Sequence, residues 1–129
     1  MNGKIMNYKF DGSRVFFTSD THFNHTNIIR FCNFEHIAMQ MYIEVDKQKI
    51  YLNHCPFLCY GDSYDDTWQL FGHVHTRRNN TGKDASRLSM LLPTQYDVGV
   101  DNNGFTPVSF AQVKAIIGKQ IEQSRKGEQ

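Results

Sequence analysis

The chain has no excess of either charge, no long apolar run and no paired cysteine framework. Lys and Arg number 14 against 13 Asp and Glu, a net charge of +1 with His neutral. The basic footprint of a nucleic-acid or anionic-membrane binder is therefore missing. No apolar stretch approaches the roughly 18 residues that a membrane span needs. Met1 to Arg14 mixes Asn, Lys, Asp and Gly with scattered apolar residues and carries no signal-peptide block. The 3 cysteines, Cys32, Cys55 and Cys59, form an odd set without a CxxC pair, which fits reduced thiols better than a disulfide scaffold. These absences predict a cytoplasmic protein with neither nucleic acid nor membrane as partner.

What remains is enough to fold. Leu, Ile, Val and Phe make up about a quarter of the 129 residues, above the roughly one-fifth below which chains tend to be disordered. The length predicts one domain over 1–129, at roughly 150 residues per domain. It divides into an N-terminal segment (1–13), a motif-bearing core (14–121) and a frayed charged tail (122–129).

Arg14 to Ser19 (RVFFTS) is short, β-branched and aromatic, the pattern of a buried strand, and leads into Asp20-Thr-His-Phe-Asn-His25. Thr26 to Phe31 predicts a short helix with Thr26 as its N-cap. Met41, Ile43 and Val45 alternate with polar or aromatic neighbours, and Ile50-Tyr-Leu52 follows a polar turn, so the pair predicts a β-hairpin. Trp68 to Phe71 predicts a strand ending at Gly72-His-Val-His75. Tyr96, Val98 and Val100 predict another, and Thr76 to Ser89 reads as a surface loop between them. Near the C-terminus, Ser109 and Gln112 match a capping box, and Val108 with Val113 matches a hydrophobic staple. Phe110, Val113, Ile116, Ile117 and Ile121 then form an apolar stripe of helical period that should pack on a sheet.

Strand, polar loop and helix in alternation define an α/β chain, and its chemistry gathers where strands end. Asp20 and His22 stand two apart, so extended backbone directs both side chains to one side. His73 and His75 repeat that spacing after Gly72, which is free to leave strand geometry. His54 also stands at a strand end, before Cys55-Pro56. Carboxylate oxygen with imidazole nitrogen suits Zn, Mn or Fe, and the carboxyl ends of strands are where open α/β sheets hold ligands. A lone D-x-H or H-x-H is commonly a capping or solvated pair. The ordered series of D-x-H, L-x-H-x-P and G-H-x-H is harder to attribute to chance.

In these motifs the chain resembles the calcineurin-like metallophosphoesterases. The resemblance rests on Phe17 to Ile29 (FTSDTHFNHTNII), Leu52 to Pro56 (LNHCP), Phe71 to His75 (FGHVH), and Asp97 to Asp101 (DVGVD) followed by Phe105 to Ser109 (FTPVS). It spans most of the chain from Arg14 to about Ile121. The resemblance implies a four-layer α/β/β/α sandwich with two metal ions at the carboxyl ends of its strands. Asp20, His22 and His75 would hold one ion, His54 and His73 the other. It implies hydrolysis of a phosphomonoester or phosphodiester in a phosphorylated small molecule by water activated on Mn, Zn or Fe.

The chain departs from the family between His22 and His54. The family carries there a GD motif, whose Asp bridges the metals, and a G-N-H-[DE] motif, and neither is spelled in this interval. Gly61-Asp62 does spell GD, but after His54. The fold expected is thus a reduced sandwich lacking central strands and helices, with one or two ions in an incomplete centre. The second site would have His54 and His73 only, and should be weak or empty unless Asp62, Asp65 or Asp66 reaches it. The alternative is a catalytically impaired relative that binds metal or phosphate, or a deletion product without activity. His25, three residues beyond His22 at the start of the expected helix, is the candidate catalytic acid or phosphate contact. Asn24, Asn27, Arg77 and Arg78 are further possible phosphate donors, while Asp97 and Asp101 read as structural. Exposed sheet edges left by the missing strands predict a homo-oligomer.

Overall fold

In the computed structural model, which describes residues 8–19, 40–63, 66–74, 76 and 85–127, the alternating runs form the expected hairpin. β3 (Gln40–Val45) and β4 (Gln48–Asn53) pair antiparallel from Gln40↔Asn53 to Val45↔Gln48. The connection is only Asp46-Lys47, and both residues have positive φ, 46° and 68°, as a type I′ turn requires. A glycine would ordinarily fill such a site. Here Asp46 is held from outside: its Oδ1 accepts Gly12 N at 3.0 Å and its own N donates to Phe10 O at 3.1 Å. Gly12 leaves the room for this, because a Cβ there would come within 2.5 Å of both Asp46 Oδ2 and the Phe110 ring.

β1 (Tyr8–Phe10) lies parallel on β3, and β5 (Trp68–Phe71) and β6 (Gln95–Asp97) continue parallel beyond β4, giving the order β1-β3-β4-β5-β6. β2 (Phe16–Phe17) pairs antiparallel with β7 (Val108–Ser109) in a second, two-stranded sheet. Ser19 forms a parallel bridge to Gly99, and Val100 N donates to Ser19 O at 3.0 Å. That contact sets the end of the β2 run beside the end of β6. The architecture is mixed α/β.

Helix α2 (Phe110–Gly127) closes the apolar face. Its capping box forms in both directions: Ser109 N donates to Gln112 Oε1 at 2.9 Å, and Gln112 N donates to Ser109 Oγ at 3.2 Å. Both staple residues, Val108 and Val113, are buried, and with Phe110 and Ile117 they pack against Phe17, Ile43, Val45, Ile50, Trp68, Leu70 and Val98. The Trp68 and Phe110 rings stack at 5.5 Å.

The other sheet face is polar and aromatic. Gln69 and Gln95, opposite each other in β5 and β6, are both buried. Gln69 Oε1 accepts Gln95 Nε2 (2.9 Å) and Phe57 N (3.1 Å), and Gln95 Nε2 also donates to Phe57 O (2.9 Å). The segment after His54 thus covers buried amides that would each cost about 1–3 kcal/mol if left unpaired. Tyr60 anchors its far end, donating to Thr67 O (3.1 Å) and sharing a 2.6 Å hydrogen bond with Thr94.

Four expectations need correction. The tail does not begin to fray at 122: α2 continues through Gly127, with a Lys126–Glu122 ion pair at 3.3 Å one turn apart. The strand expected through Val100 stops at Asp97, where the backbone enters a 3-10 turn at Val100–Asn102. Within the expected surface loop, Ala85–Leu88 is a short helix, α1. Of the run expected as a buried strand, Phe17 is buried but Phe16 is exposed, because the two alternate across a pleat. The expected helix at Thr26 to Phe31 lies outside the described residues. No helix among the described residues is long and apolar enough to cross a membrane.

Candidate metal centre

Three parallel strands deliver their carboxyl ends to one edge of the large sheet. β4 ends at Asn53, β5 at Phe71 and β6 at Asp97. The β4–β5 ladder runs one rung further, with Gly72 N donating to His54 O at 2.9 Å, so His54 stands beside Gly72 and His73 comes next. Asn53 helps turn the chain here, its Oδ1 accepting Cys55 N at 2.9 Å. The His54 and His73 rings meet edge to face, with centroids 5.0 Å apart. His54 is half-buried and His73 exposed.

The backbone at His73 is special. Its φ is +66°, and Val74 N donates to Gly72 O at 2.7 Å across it. A hydrogen bond between residues two apart around a positive central φ is the rare, strained form of γ-turn. The sharp departure expected of Gly72 is taken by the histidine after it. Strain of this kind costs on the order of 1–3 kcal/mol, persists only where the surroundings over-determine it, and clusters at ligand sites.

Asp97 closes the edge. It is 2% exposed. Its Oδ2 accepts Thr76 N (3.0 Å) and Thr76 Oγ1 (2.6 Å), and its Oδ1 accepts Gly99 N (2.8 Å). Asn102 and Asn103 donate to its carbonyl at 3.0 and 2.9 Å. Nearby, Tyr96 donates to Asn103 Oδ1 at 2.5 Å. Desolvation, reinforced by the Asp97 carboxylate, pushes the Tyr96 phenol above the ordinary tyrosine range. Just before Asp20, the buried hydroxyls of Thr18 and Ser19 have no hydrogen-bond partner among the described residues.

Of the residues expected to form the site, the fold brings His54 and His73 together. Asp20, His22, His25 and His75 lie outside the described residues. So do Asn24, Asn27, Arg77, Arg78 and Asp65. Asp66 precedes β5 at the opposite end of the strands, and Asp62 lies two residues past Tyr60, which is tied to Thr67 and Thr94 at that same end. Neither reaches the His pair from where it stands. Cys55 and Cys59 are free and exposed. Among the described residues no group of three or more His, Cys, Asp or Glu is placed to hold a metal.

The centroid separation of the two imidazoles can be compared with that of a shared ion. With nitrogens about 2.0–2.1 Å from a tetrahedral centre, the centroids of two imidazole ligands stand about 5 Å apart, which is the separation of His54 and His73. Thr76 is the residue that sequence reasoning passed over. Its only signal was its place directly after His75, with a strand-end aspartate as its eventual partner. No family model, curated protein or solved structure matches this chain.

Proposed function

We propose that this chain is a reduced form of the four-layer metallophosphoesterase sandwich, in which His54 and His73 hold a divalent transition ion and Asp20, His22 and His75 hold, or complete the site for, another. The observation that carries the reading is the pair of imidazoles, ring centroids 5.0 Å apart, on the carboxyl edge of three parallel strands, one of them kept in a strained turn. The ion would supply Lewis-acid activation of a water and of a phosphoryl oxygen. The chain's own contribution is to orient the imidazoles by continuing the β4–β5 ladder, and His25 is the acid or phosphate contact in this reading.

A second reading, a metal- or phosphate-binding relative with impaired turnover, is favoured by a specific observation. Asp97 is a carboxylate at this edge, and its oxygens are committed to Thr76 and Gly99. Two ions held as close as roughly 3.5–4 Å need a shared anion to offset their repulsion. Metal analysis of protein purified without chelator, paired with hydrolysis of a chromogenic phosphodiester, separates the readings. Metal-dependent hydrolysis lost in Asp20→Ala and His75→Ala supports the enzyme. Bound metal without hydrolysis supports the binding protein, and no metal at all removes both.

A further inference from the structure

We infer that Asp97 is a positioning residue for the candidate metal centre, acting through Thr76 to lock the loop that carries His73. This inference rests on the reading of the His pair as a metal site. The span from Phe71 to Thr76 is fixed at its start by two ladder bonds, Gly72 N to His54 O (2.9 Å) and Val98 N to Phe71 O (2.8 Å). Between these bonds and Thr76 lies the strained turn at His73, whose φ of +66° an L side chain rarely adopts. With its far end loose, that turn would relax toward ordinary backbone and carry the His73 ring away from His54.

The far end is fixed by a buried carboxylate that receives two hydrogen bonds from Thr76, one from backbone and one from the hydroxyl at 2.6 Å. Bonds to an ionised acceptor are roughly twice as strong as neutral ones. Asp97 is itself immobilised by Gly99 N on its other oxygen and by Asn102 and Asn103 on its carbonyl. Its orientation is therefore set by β6 and the following turn. Asp97 acts on the site through Thr76 and the turn, one step further out than the direct partners of metal ligands, whose loss typically lowers metal affinity about ten- to hundred-fold.

The experiment measures Zn²⁺ affinity of the full chain by competition with a chromophoric chelator. It compares wild type, Thr76→Val, Asp97→Asn, the double variant, Thr76→Ser and His54→Ala, with circular dichroism recorded for each. Thr76→Val removes only the hydroxyl bond, and Asp97→Asn turns an amide donor toward a neighbouring N–H. Each should weaken Zn²⁺ binding by up to about ten-fold without changing the fold, the double variant should weaken it by less than the product of the two, and Thr76→Ser should bind as wild type does. If Asp97→Asn fails to fold, Thr76→Val and Thr76→Ser decide. Folded variants that bind as tightly as wild type, while His54→Ala does not, overturn the positioning role and leave the metal site standing. Wild-type protein that binds no Zn²⁺ overturns both.

Discussion

His73 is where the chain spends conformational energy that its neighbours do not. Its turn has a φ of +66° and a 2.7 Å bond from Val74 N to Gly72 O, so a Cβ is carried in a backbone region that glycine tolerates without penalty. In metal-free protein, His73→Gly should therefore be more stable than His73→Ala by about 1 kcal/mol, by denaturant titration. That reverses the usual Gly–Ala order, and equal stability or a gain for Ala would mean that the turn is relaxed. Tyr60 and Tyr96 make a second prediction. Desolvation raises the pKa of both phenols above the ordinary 10.0, opposed at Tyr60 by the Thr94 hydrogen bond and assisted at Tyr96 by Asp97. A raised folded-state pKa means that this contribution is complete below pH 10 and is lost as pH rises through the folded values. The thermal midpoint should decline above that pH, and less steeply in Tyr60→Phe. The presence of a turn after β5 was legible in Gly72-His73, but its owner was not. Choosing His73 over Gly72 depends on the ladder to His54 and on Thr76 meeting Asp97, and both contacts come from remote segments.

At the level of elements, local signals were readable wherever both partners are near in sequence. The Ser109–Gln112 capping box and the Val108–Val113 staple are complete within six residues, and both appear in the structure. Ser109→Ala should cost about 0.5–2 kcal/mol. Ile117→Ala, which empties a side chain 1% exposed between α2 and the sheet, should cost about 2–5 kcal/mol. Urea midpoints measure both, and a smaller loss for Ile117→Ala than for Ser109→Ala would contradict the packing described. The hairpin was legible from its alternation, whereas its turn was not. Asp46-Lys47 lacks the usual glycine, and its left-handed backbone is stabilised from Gly12 and Phe10, more than thirty residues earlier. The end of β6 was misjudged for a similar reason. Tyr96, Val98 and Val100 alternate as a strand would, but the side chains of Asn102 and Asn103 turn back to bond Asp97 O and curl the chain.

For the whole molecule, sequence order does not say which strands become neighbours, so the meeting of His54 and His73 depends on the parallel pairing of β4 with β5. Among the described residues, β2 has a two-stranded sheet with β7 and a single bridge to Gly99. On the proposed reading of a reduced sandwich, a run this sparsely paired among the described residues offers an edge for another copy to cover. Sedimentation should show a homo-oligomer, and a monomer across the accessible concentration range would refute that. The metal proposed at His54 and His73 is the central claim. Crystals grown with Zn²⁺ and measured on both sides of its absorption edge provide the most direct test. The expected result is an anomalous peak about 2.0–2.1 Å from a ring nitrogen of His54 and of His73. Zinc bound elsewhere, with that pair unliganded, would contradict it.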